Sequence, residues 1–319
     1  MHIGYKISTS SEVVTTLARQ AIIGSANIAK FFHLPLISKF RKTKLGGHFS
    51  VFPLSRFSIP FFFEAGILKR IINESKHKEL SRIEVITTAS VIPREIGPEY
   101  IKAFSHLGAN NADVLYIEKR EQASDPEVLE RLKAADVVMF TGGDQLRLTS
   151  ILGGTPFDTI LLDKYKNTDF MYAGTSAGAA AASTNMIYQG SSSEALLKGE
   201  VKITSGLGLI DGVIIDTHFV KRGRIGRLFQ AVVGNPKVLG IGLGEDTGLL
   251  ITNGLQMEAI GSGLVIVVDG REIKDTNLTQ IAIGKPISIN HLITHVMSKY
   301  DKFDLDTRKM SIQDTQHVN

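Results

Sequence analysis

A strand that turns through Gly174-Thr175-Ser176-Ala177-Gly178 into an alanine-rich helix leaves this chain little choice of architecture. Met171, Tyr172 and Ala173 form the short apolar strand that enters, and Ala177 to Ala182 form the helix that leaves. In so tight a turn, side chains two positions either side of the serine would collide with neighbouring backbone, so both places require glycine. The serine hydroxyl is then held clear of the sheet, above a helix N-terminus whose free N–H groups can stabilise an oxyanion. An ordinary Gly-rich strand-to-helix turn would use the same residues. The chain has no cysteine, which excludes disulfides, thiolate catalysis and a Cys-based zinc site and makes Ser176 the leading nucleophile.

The segments around the turn repeat one theme. Ala65, Ile67, Leu68, Ile71 and Ile72 recur at helical spacing, and Ile83 to Thr87 follow as a buried strand. A helix over Pro98–Leu107 stops at Gly108, and the strand Val114–Ile117 comes next. A helix over Pro126–Ala134 leads into the strand Val137–Phe140. Alternation of this kind predicts an α/β fold, a doubly wound and mostly parallel sheet with ligands bound beyond the carboxyl ends of its strands. After Val238 the chain is strand-rich, through Leu243, Leu249–Thr252 and Gln256–Ile260, with a hairpin at Asn253-Gly254. This part reads as an antiparallel C-terminal extension of the main sheet. Residues 64–299 are expected to form one catalytic domain, for which a chain of 319 residues with 43% hydrophobic content has ample core material.

Three further stretches are candidates for the chemistry. Thr141-Gly142-Gly143-Asp144-Gln145 follows a strand directly, so Gly143 can aim backbone N–H groups at a ligand and, with Ala177, complete an oxyanion hole; a plain tight turn is the alternative. His218 ends the strand Gly212–Asp216 in the run Asp216-Thr217-His218-Phe219, where a general base for Ser176 would stand if the two strands are neighbours. Arg222, Arg224 and Arg227 come next and suit carboxylate recognition, although a solvated helix face would use them too.

The two ends differ from the middle. Residues 1–56 carry eight Lys/Arg against one acid, Glu12, a balance of +7 that leaves −3 for the rest of a chain whose total is +4. Lys39, Arg41, Lys42 and Lys44 read as a solvated charge cluster, not a nucleic-acid site. No apolar stretch reaches the length of a membrane span, and Ala21-Ile22-Ile23 is too short for a signal peptide core. Residues 1–63 are expected to be a divergent, poorly ordered segment, and the polar residues 300–319 a frayed tail.

Taken together, Thr141 to Gln145, Gly174 to Ala179 and Asp216 to Phe219 with the trailing arginines resemble the cyanophycinase family over roughly residues 64–290. These are serine peptidases related to peptidase E, with a fold similar to class I glutamine amidotransferases. The resemblance implies hydrolysis of cyanophycin, a poly-aspartate backbone with arginine on each β-carboxyl, to β-Asp-Arg dipeptides, without metal or cofactor. It implies Ser176 as nucleophile and His218 as base. Gly190-Ser191-Ser192-Ser193-Glu194 matches the family's Gly-Ser-Ser-x-Glu loop, which makes Glu194 the first choice for the acid, with Asp216 and Glu245 as rivals for that role or for holding substrate arginine. Gln145, Arg222, Arg224 and Arg227 would contact substrate. A cytoplasmic homodimer is the expected state. An aspartyl dipeptidase of the peptidase E type is the nearest rival, and a non-catalytic homologue lacking its first strand is another. The family's aromatic-Pro-Asn-Arg run is replaced here by Ala195-Leu196-Leu197-Lys198. The family's opening strand and Gly-Gly-Ala-Glu-Asp-Lys turn have no match in residues 1–63, where His48–Phe52 offer a substitute strand. The abrupt change near Phe63 suggests a replaced or frame-altered start.

Overall fold

In the computed structural model, which describes residues 20–24 and 66–313, the serine turn lies at the middle of a nine-stranded sheet. Its strands are β1 (Gln20–Gly24), β2 (Ile83–Ile86), β3 (Ala112–Leu115), β4 (Val137–Phe140), β5 (Met171–Thr175), β10 (Thr247–Thr252), β11 (Gln256–Gly261), β16 (Lys302–Asp304) and β17 (Lys309–Ser311). The order across the sheet is β17-β16-β11-β10-β1-β5-β4-β2-β3. From β1 to β3 every pairing is parallel; from β1 to β17 every pairing is antiparallel. Strands β2, β4 and β5 are buried at every residue, Glu84 included, as strands of a parallel sheet covered on both faces are.

Alternate residues of each strand serve opposite faces. Val137, Met139, Met171 and Ala173 pack with helices α1 (Ile67–Glu74) and α2 (Pro93–His106), while Val138, Phe140 and Tyr172 pack with α3 (Pro126–Ala134), α4 (Gln145–Leu152), α5 (Pro156–Asn167) and α6 (Ala177–Ala181). Helix α2 starts at Pro93, five residues before the expected Pro98, because Pro93 takes the first-turn position where a missing N–H costs nothing. Asp125, Asp144 and Thr155 cap α3, α4 and α5 with their side-chain oxygens.

A second sheet, ordered β15-β12-β9-β8, packs into the α3–α6 side of the core. It contains β8 (Val213–Thr217), β9 (Leu239–Leu243), β12 (Val265–Asp269) and β15 (Ile293–Met297), and α7 (Ile225–Gly234) packs against it. Two small ribbons complete the fold, β6 (Asn185–Gln189) with β7 (Lys202–Ser205), and β13 (Asp275–Thr276) with β14 (Ile289–Asn290).

Three sequence expectations are corrected. The 1–63 segment does not stand apart, since it supplies β1, the strand that pairs with both β5 and β10; the alternative at His48–Phe52 and the basic cluster at Lys39 to Lys44 lie outside the described residues, as does Ala65. The residues beyond 300 are not simply a tail, because Phe303 is fully buried and β16 pairs with β11. Leu239–Leu243 belongs to the second sheet, parallel to β8, while the next two expected strands, β10 and β11, join the main sheet. Among the described residues, no helix is long and apolar enough to cross a membrane.

The two sheets are tied together by a buried carboxylate. Asp269 of β12 accepts from Arg271 Nε at 2.9 Å and from Arg308 Nη1 at 2.5 Å, and Arg308, on the β16–β17 turn, also donates to the Lys237 carbonyl. Burial alone would raise the Asp269 carboxyl, but the Arg271 N–H and both guanidinium groups outweigh it and hold the pKa below the ordinary value. A depressed folded-state pKa contributes stability above the unfolded value that is lost as pH falls through the folded one. Asp269→Asn is expected to cost about 2–4 kcal/mol in urea unfolding at pH 7, because the half-buried Arg308 loses its acid, and the gap from wild type should narrow at acid pH below the carboxylate range.

Candidate active site

The peptide at Ser176 has φ 51° and ψ −104°, a strained conformation for a residue with a side chain. Close packing enforces it. A Cβ on Gly174 would stand 2.6 Å from the Gly178 carbonyl carbon, and one on Gly178 would stand 2.7 Å from both Cβ and O of Phe140. No side chain fits at either place. The Ser176 N–H donates to the Gly24 carbonyl at 2.8 Å, so β1 holds the nucleophile's backbone directly. Beneath it, Thr175 Oγ1 donates to the Phe140 carbonyl at 3.3 Å and is 2.7 Å from Tyr100 Oη. Burial pushes the Tyr100 phenol up to about 12, against the opposing Thr175 hydrogen bond.

Ser176 Oγ lies 3.0 Å from His218 Nε2, and His218 Nδ1 lies 3.0 Å from Glu245 Oε1. A neutral imidazole protonated at Nδ1 satisfies both contacts, donating to Glu245 and accepting from the serine hydroxyl. His218 does not reach the serine from a neighbouring strand of the same sheet, as expected; β8 is in the second sheet, and α6 lies between it and the main one. The placement of Glu245 follows from register. Parallel strands β8 and β9 run level, with Thr217 opposite Leu243, so His218 and Glu245 leave the same edge close together.

Glu194, the first choice for the acid, is not on the imidazole. Its side chain is exposed, and its loop is held elsewhere: Gln230 of α7 donates to the carbonyls of Ala195 and Leu197 at 2.7 and 2.8 Å and accepts from Val201 N–H. Asp216 is also committed. It is buried and paired with Arg227 through two hydrogen bonds, Nε to Oδ2 at 2.5 Å and Nη2 to Oδ1. Arg224 reaches it at 3.4 Å and donates to the Thr217 carbonyl at 2.7 Å. Burial lowers the Arg224 pKa; Asp216 pulls it back up, while Arg227 and Arg222 push it further down. Arg222 is exposed and, among the described residues, has no side-chain partner.

These groups line a cleft of about 440 Å³ that includes Ser176, His218, Asp216 and the three arginines. Gly142 and Gly143 form part of its wall, and a Cβ on Gly142 would lie 3.3 Å from the Ser176 Cβ, so this loop touches the nucleophile. Ala177 begins α6 beside it. Gln145 lines the cleft too, but its Nε2 is spent on the Ile187 carbonyl at 2.8 Å. Glu245 stands behind His218 and is not part of the wall. Sequence reasoning missed Tyr100 and Tyr188, both of which line the cleft; neither lies in a motif, and only the tertiary fold brings them there. Among the described residues no group of three or more His, Asp or Glu could hold a metal.

A serine on a strained strand-to-helix turn, bonded to an imidazole that is itself bonded to a carboxylate, defines a serine hydrolase site. Residues 64–258 match peptidase family S51. The chain is 39% identical over 226 residues to a cyanophycinase of Trichormus variabilis, covering 71% of this chain and 76% of that protein. It is 36% identical over 227 residues to a cyanophycinase of Geminocystis herdmanii, covering 71% and 84%. The crystal structure of a peptidase from an acI-B1 actinobacterium shares the fold, with a TM-score of 0.56 at 20% identity over 86% of this chain and 96% of that one. This chain belongs to peptidase family S51 and is a serine-type peptidase.

Gly178→Ala tests the turn. Its methyl would overlap Phe140, and overpacking of this kind costs about 1–3 kcal/mol. The variant should melt lower than wild type and lose labelling of Ser176 by a serine-directed phosphonate; unchanged labelling would mean that the turn tolerates a side chain.

Proposed function

We propose that this protein is a cyanophycinase, a serine exopeptidase that releases β-Asp-Arg dipeptides from cyanophycin through an acyl-enzyme. The observation that carries the reading is the line of hydrogen bonds from Ser176 through His218 to Glu245 at the wall of an arginine-lined cleft. His218 Nε2 takes the hydroxyl proton as Ser176 Oγ attacks the carbonyl of a backbone Asp–Asp peptide bond. Backbone N–H groups of Gly143 and Ala177 hold the oxyanion, and His218 returns the proton to the departing amine. Water, deprotonated by the same imidazole, then frees the acyl group. Glu245 fixes the tautomer and offsets the imidazolium charge, taking the role that the family resemblance implied first for Glu194.

Arg222 is the cleft's uncommitted guanidinium and suits a substrate carboxylate, whereas Arg224 and Arg227 act by holding Asp216 in place. Gln145 contributes by fixing β6 at Ile187. The presence of β1 removes the reason for treating the chain as a degenerate homologue without its first strand. We further read the fold as of the class I glutamine amidotransferase type with β10, β11, β16 and β17 as its antiparallel extension, and the working protein as a cytoplasmic homodimer without cofactor.

Purified protein incubated with insoluble cyanophycin should release β-Asp-Arg, and Ser176→Ala should lower the rate by about 10³-fold or more. Glu245→Gln is expected to reduce kcat by about 10²- to 10⁴-fold while Glu194→Gln stays within about threefold of wild type. Hydrolysis of Asp-X dipeptides with no release from the polymer would replace the reading with an aspartyl dipeptidase. A larger loss at Glu194 than at Glu245 would overturn the assignment of the acid.

A further inference from the structure

The cleft's charge is one-sided. Among the described residues that line it, Asp216 is the one carboxylate, and Arg227 and Arg224 already bond it. A substrate that brings its own guanidinium therefore meets three arginines and finds no free acid. An attractive surface for that cation has to come from something other than a counter-ion.

Tyr188 offers one. It lines the same cleft, half-buried, on the β6–β7 ribbon. The register of that ribbon breaks at this residue, with Ile187 opposite Ile203 and Gln189 opposite Lys202, so Tyr188 is the extra residue of a bulge. Bulges re-aim a side chain away from the regular alternation of a strand, and here the residue before it is anchored by Gln145 through the Ile187 carbonyl. The ring is uncommitted. Cations of the protein lie over Tyr116, Phe170 and Tyr300, but none of the described residues places one over Tyr188 or a hydrogen bond on its hydroxyl. The cleft's other tyrosine, Tyr100, is buried and held by Thr175.

Given the cyanophycinase reading, on which this rests, the geometry points to Tyr188 as the platform for the substrate's arginine side chain, a specificity residue that selects arginyl over uncharged branches. A planar guanidinium stacks on an aromatic face and is attracted to its negative centre, without needing a free carboxylate.

The test compares two ligands of one shape, a two-unit fragment of the polymer and the same fragment with citrulline in place of arginine, by calorimetry on Ser176→Ala protein. With Tyr188 present the arginyl fragment should bind about 3- to 10-fold more tightly. Tyr188→Phe should keep that ratio, and Tyr188→Leu and Tyr188→Val, the latter well suited to a strand, should bring it to one; circular dichroism checks that each is folded. A ratio that survives in the Leu and Val variants, a ratio of one with Tyr188 present, or no binding of the arginyl fragment would each overturn the platform. Cleavage of the polymer by protein with its serine intact judges the functional reading separately: a cleaved polymer with no ratio condemns the platform alone, and an uncleaved polymer with a clear ratio condemns the activity alone.

Discussion

Everything at the site depends on how closely helix α6 is forced against the strand it follows. Gly174 and Gly178 leave no room for a side chain between β5, α6 and Phe140, and the strain of that approach is concentrated in the backbone of Ser176. Bonds on three sides keep it there. Gly24 accepts the Ser176 N–H, Ala180 donates to the Ser176 carbonyl at 2.9 Å, and the Tyr172 hydroxyl donates to the Gly178 carbonyl at 2.6 Å. Burial drives the Tyr172 phenol far above its ordinary pKa, which keeps it protonated as a donor. A conformation costing about 1–3 kcal/mol persists because the surroundings over-determine it.

His218 and Glu245 reach that serine from a different sheet. Strands β8 and β9 are level neighbours, which places His218 and Glu245 together before either meets Ser176. Gly244, Glu245 and Asp246 then carry the chain across from β9 to β10, back into the sheet that holds Ser176. The arginines have a similar division of labour. Arg224 and Arg227 neutralise a buried Asp216, and that leaves Arg222 exposed on the wall of the cleft.

Much of this was legible in the sequence where local chemistry decides. The glycines of the turn, the apolar runs of β2, β4 and β5, the limits of α3 and the Asn253-Gly254 hairpin, whose two residues both have positive φ, follow from sterics and periodicity. What escaped depends on pairings between distant segments. Gln20–Gly24 is a five-residue strand in a basic stretch, recognisable only by the two partners it fits between. Glu245 could be preferred over Glu194 only by knowing that β9 lies level with β8, and Asp216 looked free because Arg227 is eleven residues away. Tyr188 reads as an ordinary strand residue, since a bulge depends on the partner strand.

With Ser176 in one sheet and His218 in another, the proposed catalysis is a gauge of how the two layers are joined. The four-stranded layer shares one apolar core with the main sheet and is clasped to the β16–β17 turn through Asp269 and Arg308. Were that layer to lift, the serine would keep its turn, its glycines and its bond to Gly24 while losing its proton acceptor. The contact between Ser176 and His218 is thus one between layers, and parting them would break it with the main sheet still paired.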